Sequence, residues 1–256
     1  MQTLVAGGVD IWLTNIADLD DALRFAYQAL LTVEERTRCN RITASDARDQ
    51  FLVARALVRT ALSHYTNLPH QAWVFGVNAH GKPHILEPHR FTKLTFNLSH
   101  TKGLVACAVG YGRALGVDVE CIHGETDYHR LPAKIFTQRE QIEFNQATRE
   151  QQHERFYTSW TLKEAYIKAR GMGLTIPLNA FGFTCNEEVA NIHFSARCQD
   201  MPENWTFFQM RPTPHHRLAL AAAVDADRTL MVNTKWVVPL NLSKRSILDN
   251  VIQMCA

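Results

Sequence analysis

The alternation of apolar and polar positions sets out the chain's elements. Val9-Asp10-Ile11-Trp12-Leu13 has a period of two and predicts a first strand, and the lengthened period from about Asp20 to Leu30 predicts a helix. Thr32-Val33-Glu34-Glu35 matches a capping box, in which Thr32 accepts from first-turn amides while Glu35 reaches back. The short basic stretch after it carries Arg36, Arg38 and Arg41, which form either one cationic corner or an ordinary solvated face. From Ala47 to His64, Phe51, Ala54, Val58, Ala61 and Leu62 share one helical face while Arg48, Arg55 and Arg59 lie off it, so this is a core helix. Trp73 to Val77 reads as a strand, followed by the turn Ala79-His80-Gly81-Lys82-Pro83. That turn suits a close backbone approach to a ligand, and a plain hairpin would look the same.

Leu94 to His100 and Leu104 to Val109 predict two strands joined by a polar turn, the second buried on both faces. Ala114 to Glu120 predicts another strand, and Phe136-Thr137-Gln138-Arg139-Glu140 a cap and helix start. A long helix is expected from about Glu154 to Arg170, stopping at Gly171-Met172-Gly173. This G-x-G ends a helix, where a dinucleotide fingerprint would begin one. Phe181 to Thr184, Val189 to Phe194, Trp205 to Arg211 and Arg217 to Val224 read as four strands of an antiparallel sheet, and Asn241 to Met254 as a short helix. The stretch His100 to Val109 matches His215 to Val224 in pattern, which suggests two similar α/β halves meeting near residue 112. The boundaries are therefore drawn at 1–112, 113–228 and a C-terminal extension, 229–256.

With 256 residues, 46% hydrophobic and 20% charged, the chain has the composition of a globular protein able to bury a full core. A net charge of +2 gives no electrostatic case for nucleic-acid binding. The six cysteines contain no C-x-x-C pair and read as free thiols in a reducing compartment. Met1 to Asp10 lacks a basic region followed by a long apolar one, and no apolar run approaches the roughly 18 residues of a membrane span, so a soluble cytoplasmic chain is expected.

Candidate chemistry gathers at three places. On the long helix, Phe156, Trp160, Glu164 and Lys168 fall along one face with Lys163 beside them, so a charged stripe shares the aromatic side. Alone, Glu164 and Lys168 are an ordinary surface pair four residues apart. In Gly116-Val117-Asp118-Val119-Glu120, the two acids project from one face of a strand while the valines point oppositely. Like charges so placed repel, and a hard divalent cation such as Mg²⁺ would compensate them; exposed edge-strand acids are the plainer alternative. Ser99 and His100 stand where a strand runs out, without the G-x-S-x-G surroundings of a hydrolase serine. His215 and His216 are adjacent, which fits a solvent turn better than a shared metal.

Taken together, Phe96-Asn97-Leu98-Ser99-His100, Gly116-Val117-Asp118-Val119-Glu120, and Phe156 through Trp160, Lys163-Glu164-Ala165 and Lys168 resemble the ordered signature of the two-domain, Sfp-type 4′-phosphopantetheinyl transferases. The resemblance implies an α+β fold of two similar α/β halves related by a pseudo-twofold, each a small antiparallel sheet packed with a long helix. It also implies a monomer that moves the phosphopantetheine arm of coenzyme A onto a serine of an apo acyl or peptidyl carrier protein, with Mg²⁺, releasing adenosine 3′,5′-bisphosphate. Asp118, Glu120 and Glu164 would then hold the metal. Lys163 and Lys168 would meet the pyrophosphate and the carrier side. His100 and Arg38 would meet the 3′-phosphate, and Gly81-Lys82-Pro83 with Ser99 the adenine end. A further basic contact falls on Arg48 or Arg55, Glu35 replaces a lysine usual near Arg36, and His123 replaces a basic residue usual after the D-x-E motif. Glu164, Lys168 and His100 would be the catalytic set, with Glu164 or a metal-held water as the base. The alternatives are a non-catalytic module binding coenzyme A or a carrier protein, and a Mg²⁺-dependent phosphate-ester hydrolase. Carrier choice would lie in the surface around residues 121 to 150.

Overall fold

The computed structural model describes residues 4, 7–123, 132–185, 190–224, 229–242 and 250–255. In chain order its elements are β1 (Gly8–Asn15), α1 (Asp21–Ala29), α2 (Val33–Arg41), α3 (Ser45–His64), β2 (Val74–Val77), β3 (Pro83–Glu87), β4 (Leu94–Thr101), β5 (Leu104–Tyr111), β6 (Leu115–Cys121), α4 (Pro132–Ile135), α5 (Gln138–Asn145), α6 (Arg149–Arg170), β7 (Phe181–Cys185), β8 (Ala190–Phe194), β9 (Trp205–Thr213), β10 (His216–Ala223), β11 (Thr229–Trp236) and β12 (Asn250–Cys255). The chain is α+β and divides into two compact units, 1–76 with 83–112 and 231–254, and 77–82 with 113–230 and 255–256.

The run β1-α1-α2-α3-β2-β3-β4-β5 recurs element for element as β6-α4-α5-α6-β7-β8-β9-β10. The pairing recurs as well: β1-β5-β4 is antiparallel in one unit, and β6-β10-β9 in the other. A local device is also repeated. Thr32 and Glu35 close a capping box on α2, and Thr137 and Glu140 close one on α5. Each capping glutamate also binds a buried cation of the long helix that follows. Glu35 lies 2.7 Å from Arg59 on α3, and Glu140 lies 2.9 Å from Lys163 on α6. One carboxylate thus satisfies a helix start and neutralises a charge taken out of water.

In the first unit, α3 lays Leu52, Val53, Ala56, Leu57, Ala61 and Leu62 into a core shared with Trp12, Val105, Cys107 and Val109 of the sheet. In the second, Leu162, Ala165, Tyr166 and Ala169 of α6 pack on Phe181, Phe207, Ala219 and Ala221. Apolar packing of this kind sets where each helix lies over its strands.

Several sequence expectations change. The helix α6 begins at Arg149, because Thr148 and Gln151 form a third capping box. The four strands expected as one sheet split, with β7 and β8 pairing only with each other while β9 and β10 are completed by β6. Of the short helix expected over 241 to 254, residues 243–249 lie outside the described residues, and Asn250–Cys255 is instead strand β12, the outer strand of the sheet in which β11 pairs parallel with β1. Leu230, Val232 and Thr234 are the buried side of that alternation. Among the described residues, no helix is long and apolar enough to cross a membrane. The cysteines whose side chains are described, Cys39, Cys107, Cys121, Cys185 and Cys198, are free thiols.

Candidate active site

The second unit brings β6 and α6 unusually close, and Gly116 allows it. A Cβ there would stand 2.1 Å from the Ala165 carbonyl oxygen and 2.3 Å from the Ala169 amide nitrogen. Only a residue without a side chain lets the strand backbone lie on the helix backbone. The alternation of β6 then turns Asp118 and Glu120 to the same side, and the helix presents Trp160, Glu164 and Lys168 to them. The Lys168 Nζ lies 2.6 Å from Asp118 Oδ1, and Asp118 is buried. The Trp160 indole Nε1 donates to Glu120 Oε1 at 3.0 Å, and its ring stacks on Phe156 with planes 10° apart. The aromatic base seen in the sequence therefore orients one of the acids.

Glu164 completes the group. Burial pushes its carboxyl above the usual range, and Asp118 and then Glu120 push the same way, while Lys168 opposes them. At Glu164, burial together with the neighbouring carboxylates outweighs the nearby ammonium. Three carboxylates are the hard oxygen donors that Mg²⁺ takes, so the residues fit such an ion both in donor chemistry and in charge. As the side chains stand, Asp118 meets Lys168 and Glu120 meets Trp160. Among the described residues, no three His, Cys, Asp or Glu side chains are gathered as ligands.

Two expected ligand contacts are spent on the protein itself. Lys163 is fully buried, its Nζ donating to Glu140 Oε2 and to the Leu178 and Phe181 carbonyls at 2.9, 2.9 and 2.5 Å. An ammonium so enclosed has no route to a pyrophosphate, and its role is to tie α6 to α5 and β7. The Lys82 ammonium donates to the Leu115 and Ala169 carbonyls at 3.0 and 2.9 Å, and burial brings it down to about 8. Its turn is shaped by Asn78, whose Oδ1 accepts from the amides of His80 and Lys82 at 2.9 Å and whose Nδ2 donates to the Gly171 carbonyl at 2.7 Å.

The remaining expected residues belong to the first unit. Ser99 is buried on β4, and His100 beside it is exposed. Pro83 opens β3 and is half-buried. Arg38 and Arg55 both lie against Phe51, at 5.7 and 5.0 Å from its centroid. Of the two candidates for a further basic contact, Arg55 thus stands with Arg38. Arg48 instead sends Nε and Nη2 to the Ile42 carbonyl at 3.1 and 2.9 Å, at the end of α2. The corner expected of Arg36, Arg38 and Arg41 does not close, since Arg36 reaches back to Gln28. In the second unit, His215 is exposed in the turn before β10, its ring 4.9 Å from that of His123. The carrier-facing stretch expected at 121 to 150 includes residues 124–131, which lie outside the described residues.

Two family models divide the chain at nearly the same place as the fold. Residues 114–223 match the 4′-phosphopantetheinyl transferase superfamily, and residues 19–111 match the N-terminal part of such transferases. The 4′-phosphopantetheinyl transferase HetI of Nostoc sp. (strain PCC 7120) is 31% identical over 172 residues, covering 67% of this chain and 72% of its own. The chain belongs to the 4′-phosphopantetheinyl transferase family. A 4′-phosphopantetheinyl transferase of Bacillus subtilis is 28% identical over 196 residues, 76% of this chain and 83% of that one. The transferase Sfp of Bacillus subtilis strain 168 is 25% identical over 162 residues, 63% of this chain and 70% of its own. The transferase is of the Sfp type, and the acids, Trp160 and Lys168 all fall within the superfamily match.

Sequence reasoning missed Gly116, Asn78 and the double use of Glu140. A glycine inside a strand is a readable sign of close backbone approach. The contacts of Asn78 with Gly171 and of Glu140 with Lys163 are long-range, and no spacing within the chain announces them.

Proposed function

We propose that this 4′-phosphopantetheinyl transferase takes coenzyme A as donor and a serine of an apo acyl or peptidyl carrier protein as acceptor, with Mg²⁺ held by Asp118, Glu120 and Glu164. The observation that carries the reading is the face of α6 turned to β6, where burial and the neighbouring Asp118 raise the Glu164 carboxyl above its usual range, so that a cation there would be favoured. When bound, Mg²⁺ supplies charge neutralisation at the diphosphate of coenzyme A.

The chain's residues supply the rest. Phosphoryl transfer asks for positioning and electrostatic help rather than a covalent partner. The serine Oγ bonds to the phosphorus that carries the pantetheine arm, and the bond from that phosphorus to the departing adenosine 3′,5′-bisphosphate breaks. Lys168 is placed beside Asp118, able to turn its ammonium to the charge building on the leaving group. Glu164 is the carboxylate we assign to the serine proton, through an oxygen left free by the metal. In the first unit, Arg38, Arg55 and exposed His100 are the groups offered to the 3′-phosphate. The free thiols support a cytoplasmic setting.

The test is the intact mass of several apo carriers after incubation with the chain, coenzyme A and Mg²⁺. Each served carrier gains one phosphopantetheine. No gain across carriers of fatty-acid, polyketide and peptide pathways would remove the reading.

A further inference from the structure

The turn holding Lys82 was expected to serve a ligand, yet its ammonium is bound elsewhere. Its two acceptors are the Leu115 carbonyl, at the first residue of β6, and the Ala169 carbonyl, in the last turn of α6. Asp118 follows three residues after Leu115, and Lys168 immediately precedes Ala169. A helix's final carbonyls have no partner within the helix, and the first carbonyl of an edge strand is equally in need of a donor. One ammonium satisfies both and joins the two elements at the end where they carry the acids. Asn78 fixes the turn from below, since it binds the Lys82 amide and the Gly171 carbonyl just past α6. Gly116, next to Leu115, removes the side chain that would hold strand and helix apart.

We propose that Lys82 is a positioning residue: by bridging the backbones of β6 and α6 it sets the distance at which Asp118 and Glu120 face Glu164 and Lys168. This rests on the magnesium reading above. It assigns Lys82 no contact with substrate. Removing the bridge leaves every acid in place but loosens their spacing, so the cation site weakens more than the fold does. Outer groups that orient metal ligands typically cost about 10- to 100-fold in metal affinity when removed.

Mn²⁺ binding, read by electron paramagnetic resonance in the presence of coenzyme A, tests this without relying on turnover. Lys82→Met is expected to bind Mn²⁺ at least about tenfold more weakly than the wild type. Lys82→Arg, which keeps donors for both carbonyls, is expected to recover most of that loss, and Gly116→Ala to weaken binding in the same direction. Thr148→Ala, which removes the α6 N-cap far from the acids, is the stability control and is expected to leave Mn²⁺ binding unchanged. Unaltered binding in Lys82→Met would overturn the proposal, as would an equal loss in Lys82→Met and Thr148→Ala. A wild type that binds no Mn²⁺ would count against the magnesium reading instead. The positioning claim would then be decided by a crystal structure of Lys82→Met, and a retained 2.6 Å contact between Lys168 and Asp118 would overturn it.

Discussion

The two units answer the same problem, an acid on the opening strand of a repeated fold, in opposite ways. In the first, Asp10 of β1 is closed off by the chain itself. Lys235 of β11 stands 2.7 Å from Oδ2, the Asn233 Nδ2 donates to Oδ1 at 2.9 Å, and the Tyr65 hydroxyl donates to Oδ2 as well. The parallel strand β11 makes this possible, because it covers the far edge of β1 and brings its own cation. In the second unit, the equivalent strand β6 is the edge of its three-stranded sheet. Its acids stand beside Lys168, Trp160 and a third carboxylate, Glu164, with no strand of the described residues beyond them. A fold used twice thus covers the acid of one copy with a strand and gathers carboxylates in the other. That gathering is what a site built to take a cation requires.

Substitutions at the two acids should separate the two cases, and the largest effect falls at Asp118. Asp118→Ala is expected to cut transfer by about a hundredfold or more, because a charge-stabilising site is lost, while thermal unfolding shows the fold retained. Asp10→Ala should do the reverse: leaving Lys235 buried without its partner is expected to cost about 3–5 kcal/mol, measured by urea unfolding, with turnover per folded molecule intact. If Asp118→Ala unfolds the chain, or Asp10→Ala abolishes transfer in a stable protein, the contrast fails.

The capping glutamates come next. Lys163→Met takes the ammonium from Glu140 and is expected to destabilise by about 3–5 kcal/mol in denaturant titrations, whereas Arg59→Met leaves Glu35 with Arg55 at 3.4 Å and is expected to cost less. A Lys163→Met protein of normal stability with a raised KM for coenzyme A would restore Lys163 as a ligand contact. Removing the caps themselves, Thr32→Ala or Thr137→Ala, is the smaller change in the same series, expected to cost about 1 kcal/mol each.

Glu164 sharpens the comparison from the charge side. Its pKa in the folded chain lies above the ordinary 4.5, so the folded state holds that proton more tightly than the unfolded one. The stability linked to it is present below the unfolded value and is lost as pH rises through the raised one. Glu164→Gln is therefore expected to unfold at a higher temperature than the wild type at neutral pH without Mg²⁺, with the gap closing toward acid, and to be inactive. Calorimetry across that range checks the sign, and a gap that widened on acidification would refute it.

How much of this was legible in the sequence depends on the range of the contact. Asp118 and Glu120 could be placed on one face because a strand alternates, and Thr32 with Glu35 because a capping box closes within four residues. The helical spacing that aligned Trp160, Glu164 and Lys168 is equally local. Lys163 shows where such reasoning stops. Next to Glu164 in sequence it looks like a site residue, but rotation along the helix turns it to Glu140 and the carbonyls of Leu178 and Phe181. The edge-covering strand β11 was missed because its alternation is readable while its partner β1 lies more than two hundred residues away.

Calorimetric titration of Mg²⁺ into the chain with coenzyme A bears most directly on the difference between the two units. One ion per chain is expected for the wild type, retained in Asp10→Asn and lost in Asp118→Asn. Mg²⁺ bound equally well by Asp118→Asn, or lost from a folded Asp10→Asn, would contradict it.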